Sequence, residues 1–334
     1  MPPSPVTPPA LLGVDFTCAP GRRKPITVAR GRLARGVLRL DGVDALDSMS
    51  AFEALLQQPG PWLGAFDFPF GLPRAFVQAQ ALGDSTATVI AELQRRCPTR
   101  MAMRALVDAW GNARPAGQRL LHRVCDTALP GVRSTSPLQT RYVPVGFMYY
   151  EGLSRLVAAG VTLPRLHAGD PDRQALEGYP GLLAHELIGA RSYKNSPEPD
   201  RLIARKDIVE RLEQGRTRLG LRVQAGHALR EALVDDVSGD RLDAVLCLVQ
   251  AAWASVQPDL GLPAQVDAVV ASAANMSTWS TVCHGSSSPR GSTRTGMTTL
   301  HQTTASAMTA TTQSSAASLR SVGVMLRGHV MRAR

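Results

Sequence analysis

The chain has 334 residues, 44% of them apolar, with mean hydropathy near zero; this supports a sizeable core and argues against a membrane protein. A formal net charge of +10 suits a polyanionic partner such as nucleic acid, and equally a generic basic surface. No run approaches the roughly 18 apolar residues of a spanning helix, and the five cysteines (Cys18, Cys97, Cys125, Cys247, Cys283) form no CxxC pair, which argues against a disulfide framework or zinc ribbon and predicts a cytoplasmic protein.

Residues 1–10 predict a Pro-rich disordered leader without a secretory signal. The run LLGVDF then reads as a buried strand with an aspartate, Asp15, set inside it. A carboxylate there is costly unless it sits at a wet strand end, pairs with a cation or holds a metal. After the turn TCAPGRRKP, the segments ITVARGRL and GVLRLDGV predict two more strands, completing an antiparallel meander. The segment DALDSMSAFEALLQQPG carries Leu46, Met49, Phe52, Leu55 and Leu56 at helical spacing and stops at Pro59-Gly60. WLGAFDFPFGLP predicts a fourth strand, parallel to the first, with Asp67 at its end.

Residues 74–170 predict a large, mostly helical insertion, a cap. Its aromatic stretch YVPVGFMYYEG, near Arg141, reads either as a base-stacking surface or as a core strand. A short strand ending near Glu177, a Tyr-Pro turn and a helix follow. PDRLIARKDIVERLEQG predicts an amphipathic helix with Gly215 at its C′ position. SGDRLDAVLCLVQAAWASVQ predicts a further helix, striped by Leu242, Val245, Leu246, Val249 and Trp253, with Asp243 and Asp240 sharing one face. Between 271 and 320, 22 of 50 residues are Ser or Thr and none is Asp, Glu or Lys. Residues 269–334 are therefore expected to be a disordered tail. Either a change of reading frame near residue 268 or a natural extension explains the shift.

Each acid alone commonly caps a turn or a helix. Jointly, acids on the first strand, the fourth strand and a late helix can gather at one sheet edge. Clustered carboxylates raise one another's pKa, and hard divalent ions relieve this. Two ions about 3.5–4 Å apart stabilise both oxygens of a phosphoryl transfer.

GVDFTCAP, GAFDFPFGLP, EGYPGLLAHELIG…SYK and DRLDAVLCLVQAAWA together resemble the domain-of-unknown-function family four-twenty-nine, predicted RNase H-like nucleases, over residues 11–268. The resemblance implies an α/β, RNase H-like fold: a five-stranded mixed sheet with flanking helices and a carboxylate cluster. It maps catalytic and metal-ligating roles onto Asp15, Asp67, Glu177 and Asp243, with two Mg²⁺ or Mn²⁺ ions as cofactor and nucleic acid as substrate. Members usually end soon after a Trp-containing segment that follows GLP-x-x-VD; here GLPAQVDAVV runs instead into the tail. Lys194, Arg201 and Arg205, with Lys206, predict a phosphate-facing patch, although a solvated helix face is the commoner meaning of such a run. No GxxxxGK[ST], GxGxxG or HExxH occurs. Two alternatives stand beside the nuclease. One is an actin-like or sugar-kinase-like phosphotransferase, which would need a Gly-rich phosphate loop after Asp15. The other is a non-catalytic nucleic-acid-binding protein with a degenerate site.

Overall fold

A computed structural model describes residues 8–128 and 134–262. One mixed sheet of seven strands organises them: β1 (Ala10–Asp15), β2 (Ile26–Ala34), β3 (Val37–Leu46), β4 (Trp62–Phe66), β5 (Val161–Thr162), β6 (Asp170–Glu177) and β7 (Arg222–Gln224). The order across the sheet is β5-β6-β4-β1-β2-β3-β7. The flanking helices are α1 (Met49–Leu56), α2 (Arg74–Ala79), α3 (Thr86–Arg96), α4 (Arg100–Asn112), α5 (Val145–Met148), α6 (Ser154–Ala158), α7 (Pro180–Ile188), α8 (Pro199–Glu213), α9 (His227–Asp235) and α10 (Asp240–Ala254).

The first half of the sheet follows the expected plan. β1, β2 and β3 form the antiparallel meander, and β4 returns beside β1 in parallel. Ser48 caps α1 by accepting from the Ala51 N–H, and Gly215 follows α8 at φ 67°, the left-handed C′ position foreseen for it. Three expectations need correction. The sheet has seven strands where five were expected, because two-residue β5 and three-residue β7 extend its edges. Ala10, assigned to the leader, already opens β1. The segment from Val145 to Leu153 is helical and not a strand: α5 passes through a π turn (Tyr149–Leu153) into α6. The remaining leader and tail expectations fall outside the described residues. Among the described residues no helix is long and apolar enough to cross a membrane.

β1 lies at the centre of the sheet and is buried from Leu11 to Asp15. Alternation sends its residues to two faces. Leu12 and Val14 join Phe16, Phe52 and Phe66 in a core under the segment between β4 and β6. Leu11 joins the opposite core, built with α7, α8 and α10. Gly13 shares Leu11's face and lets α10 ride directly on the strand. A Cβ at Gly13 would lie 2.1 Å from both the Ala244 carbonyl oxygen and the Leu248 nitrogen. Backbone atoms cannot rotate away, so Gly13→Ala must push α10 off the sheet. Overpacking of this kind costs about 1–3 kcal/mol or more. The expected result is a lower urea midpoint at an unchanged slope; an unchanged midpoint would show that α10 is free to shift.

Candidate metal centre

Three parallel strands, β1, β4 and β6, end at the same edge of the sheet. Asp15 closes β1, Asp67 follows β4 directly, and Glu177 closes β6. The Asp67 N–H donates to the Val14 carbonyl at 2.8 Å, so Asp67 extends the β1–β4 ladder by one residue. Period-two alternation puts Asp15 on the face of Leu11 and Gly13, the face that α10 covers. Asp67 shares it, two residues beyond Ala65, which packs on Cys247 and Ala251 of α10. Asp243 lies in the first turn of α10, beside the Ala244 carbonyl that abuts Gly13. These three acids converge: one carboxylate oxygen from each lies within 4.8 Å of the others.

Glu177 does not belong to that group. It pairs in register with Phe66, and paired residues point to the same face. Phe66 and Ala175 both pack in the core opposite α10. Glu177 is thus one residue out of phase with Asp67. On its own face it meets Arg123, whose guanidinium donates to both Glu177 oxygens at 2.9 and 2.6 Å, and it accepts the Phe70 N–H at 2.9 Å. Arg123 also holds Asp126 at 2.8 Å, and Ser134 donates to that carboxylate. Arg123 and Asp126 are both buried. Burial raises the Asp126 carboxyl, but the Arg123 charge and its hydrogen bonds outweigh this and hold it low. No sequence pattern singled out Arg123, which lies between irregular segments.

The predicted basic patch divides three ways. The Lys194 ammonium contacts Asp243 and so joins the acids, while the adjacent Tyr193 hydroxyl donates to the other Asp243 oxygen. Arg205 is buried, and its guanidinium donates to the carbonyls of Val234, Tyr193 and Ser196. A phosphate-facing role for Arg205 is therefore wrong; it ties α8 to the segment carrying Tyr193 and to the end of α9. Arg201 lies half-buried in the first turn of α8. Of the aromatics around Arg141, Tyr142 is exposed, while Phe147 and Tyr149 are core residues.

Burial raises the Asp15 carboxyl well above the usual range; Lys194 opposes this, and Asp67 and Asp240 push it further. Burial likewise pushes Asp67 up to about 6, against Lys194 and with help from Glu177 and Asp240. The consequence for stability has a definite sign. An unfolded Asp titrates near about 3.9, so the native state holds more protons through the window up to about 6. Stability of the metal-free protein therefore falls as pH rises across that window. Urea midpoints at pH 5 and pH 7 in EDTA should show the drop, and Asp67→Asn should flatten it. A variant as steep as wild type would place the titration elsewhere.

A scan against protein-family models and searches of curated proteins and of solved structures found no match to the chain.

Proposed function

We propose that the chain is a metal-dependent nuclease with an RNase H-like fold, as its resemblance to family four-twenty-nine implies. The observation carrying this reading is the convergence of Asp15, Asp67 and Asp243 at one sheet edge. The central strands β3-β2-β1-β4-β6, with β2 alone reversed, support the fold assignment.

The residues fit a hard cation. All three groups offer oxygen, the preferred donor of Mg²⁺ and Mn²⁺. Lys194 brings one positive charge to three carboxylates, with Asp240 adding to their repulsion. Asp15, Asp67 and Asp243 would hold the ion, which supplies Lewis-acid stabilisation of charge on a phosphoryl oxygen. Glu177 stays with Arg123, so the reading keeps one ion where two were expected. Arg123 and Glu177 act as positioning residues: through the Phe70 N–H they fix the stretch that follows Asp67. Lys194 is the cation in contact with Asp243 and the group placed to meet a phosphate, while Lys24 also lowers the Asp15 carboxyl.

A second reading has one observation in its favour. Lys194 already sits on Asp243, as it would in a degenerate site where the lysine is a permanent counter-ion. An assay separates the two. EDTA-stripped protein is offered labelled single-stranded DNA, duplex DNA, RNA and hybrid, with and without Mn²⁺. The nuclease reading expects cleavage of at least one substrate, only with the ion, and lost in Asp243→Asn. Failure on every substrate with Mn²⁺ would leave the degenerate site.

A further inference from the structure

A cavity of about 210 Å³ opens between the ends of β4 and β6 and the helical segment above them. Phe68, Pro69, Val145 and Met148 give it apolar walls, and Asp67 and Tyr179 stand among its polar groups. Sites for drug-sized ligands run about 300–1,000 Å³, so this one has room for little more than a single ring system.

Its chemistry narrows the occupant further. Glu177 and Asp67 both line it, which disfavours a phosphate or carboxylate by like-charge repulsion. The Arg123 guanidinium that also borders it is already engaged by Glu177 and Asp126. Burial, with Asp67 and Asp126 nearby, pushes the Tyr179 phenol up to about 12, so it stays a neutral donor and acceptor. Apolar walls beside a set of polar side chains, Ser134, Thr135 and Tyr179 among them, suit a nucleobase, whose faces are apolar and whose edge carries donors and acceptors.

Asp67 belongs to both the cavity and the acid cluster. A base in the cavity would bring its own phosphate near the acid cluster, where the cation of the nuclease reading offsets the repulsion. We infer that this cavity receives one unpaired nucleobase of the substrate, so that the enzyme acts on single strands or on nucleotides extruded from a duplex. A base inside a duplex cannot enter without leaving its stack. The inference rests on the nuclease reading for its substrate, but its test does not need turnover.

The probes are adenosine, guanosine, cytidine, uridine and ribose, all uncharged, titrated into metal-free protein in EDTA and followed by NMR chemical shifts. At least one nucleoside should bind tenfold or more tightly than ribose. Val145→Trp and Met148→Trp, each filling the cavity from a different position, should abolish that preference while leaving the protein folded by circular dichroism. Should one variant unfold, the other decides. Nucleosides no better than ribose, or a preference that survives both fillings, would overturn the inference. Nucleoside preference without Mn²⁺-dependent cleavage would keep the base pocket and discard the nuclease. Cleavage without nucleoside preference would do the reverse.

Discussion

Replacing Arg123 by Met should destabilise the protein by about 3–5 kcal/mol, the cost typical of removing one partner from a buried ion pair. The Arg123 side chain is only 3% exposed, and the two carboxylates it holds, Asp126 and Glu177, are 0% and 9% exposed. Methionine fills much of the space but leaves both acids, Asp126 fully buried and Glu177 nearly so, without the guanidinium that now offsets their charge. An exposed pair of the same geometry would be worth about 0–1 kcal/mol, so burial decides the size of the effect. Urea unfolding at pH 7 measures it. The combined variant Arg123→Met, Asp126→Leu, Glu177→Gln should recover most of the loss, because no uncompensated charge is left buried. A single variant as stable as wild type would mean that Asp126 and Glu177 reach solvent.

Asp15→Asn should separate folding from metal binding. The side chain keeps its shape and loses its charge. In EDTA the variant should melt at the wild-type temperature or above it, since Asp15 ionises against burial and against Asp67 and Asp240. A hydrogen-bonded structural acid would instead lose about 1–3 kcal/mol on the same change. Mn²⁺ affinity should fall by at least about 100-fold, because loss of even an outer-shell partner of a metal costs about 10–100-fold. The readout is the Mn²⁺ concentration that raises the melting temperature. A variant destabilised in EDTA yet stabilised by Mn²⁺ as much as wild type would make Asp15 a structural residue.

The meander, α1 and β4 were legible because each carries a local signal: alternation in the strands, helical spacing in α1 and Pro-Gly stops between them. The strand-end positions of Asp67 and Glu177 were legible for the same reason, whereas Asp15, read as set inside its strand, closes β1. The gathering of Asp15, Asp67 and Asp243 was expected from their elements; the departure of Glu177 was not, because it depends on register. Asp67 and Glu177 both mark the ends of parallel strands, yet a one-residue offset turns them to opposite faces. Nothing in either segment encodes that offset. Arg123 escaped notice since its partners are three and 54 residues away and its own segment has no periodicity. Lys194 and Arg205 read as one basic patch because spacing cannot say whether a long side chain turns outward. Tertiary packing sends one to Asp243 and the other to backbone carbonyls. The closeness of α10 to β1 had only one trace in the sequence, the glycine at position 13.

The most direct test of the carboxylate cluster as a metal centre is calorimetric titration of EDTA-stripped, dialysed wild-type protein with MnCl₂, beside its melting temperature in the same solutions. One ion per chain should bind. At a free concentration of 100 times the dissociation constant it should stabilise the fold by about 2.7 kcal/mol, with Asp15→Asn, Asp67→Asn and Asp243→Asn each removing the heat. No heat and no rise in melting temperature at millimolar Mn²⁺ would contradict this: Lys194 would then be the permanent partner of the acids, and the nuclease reading would fall.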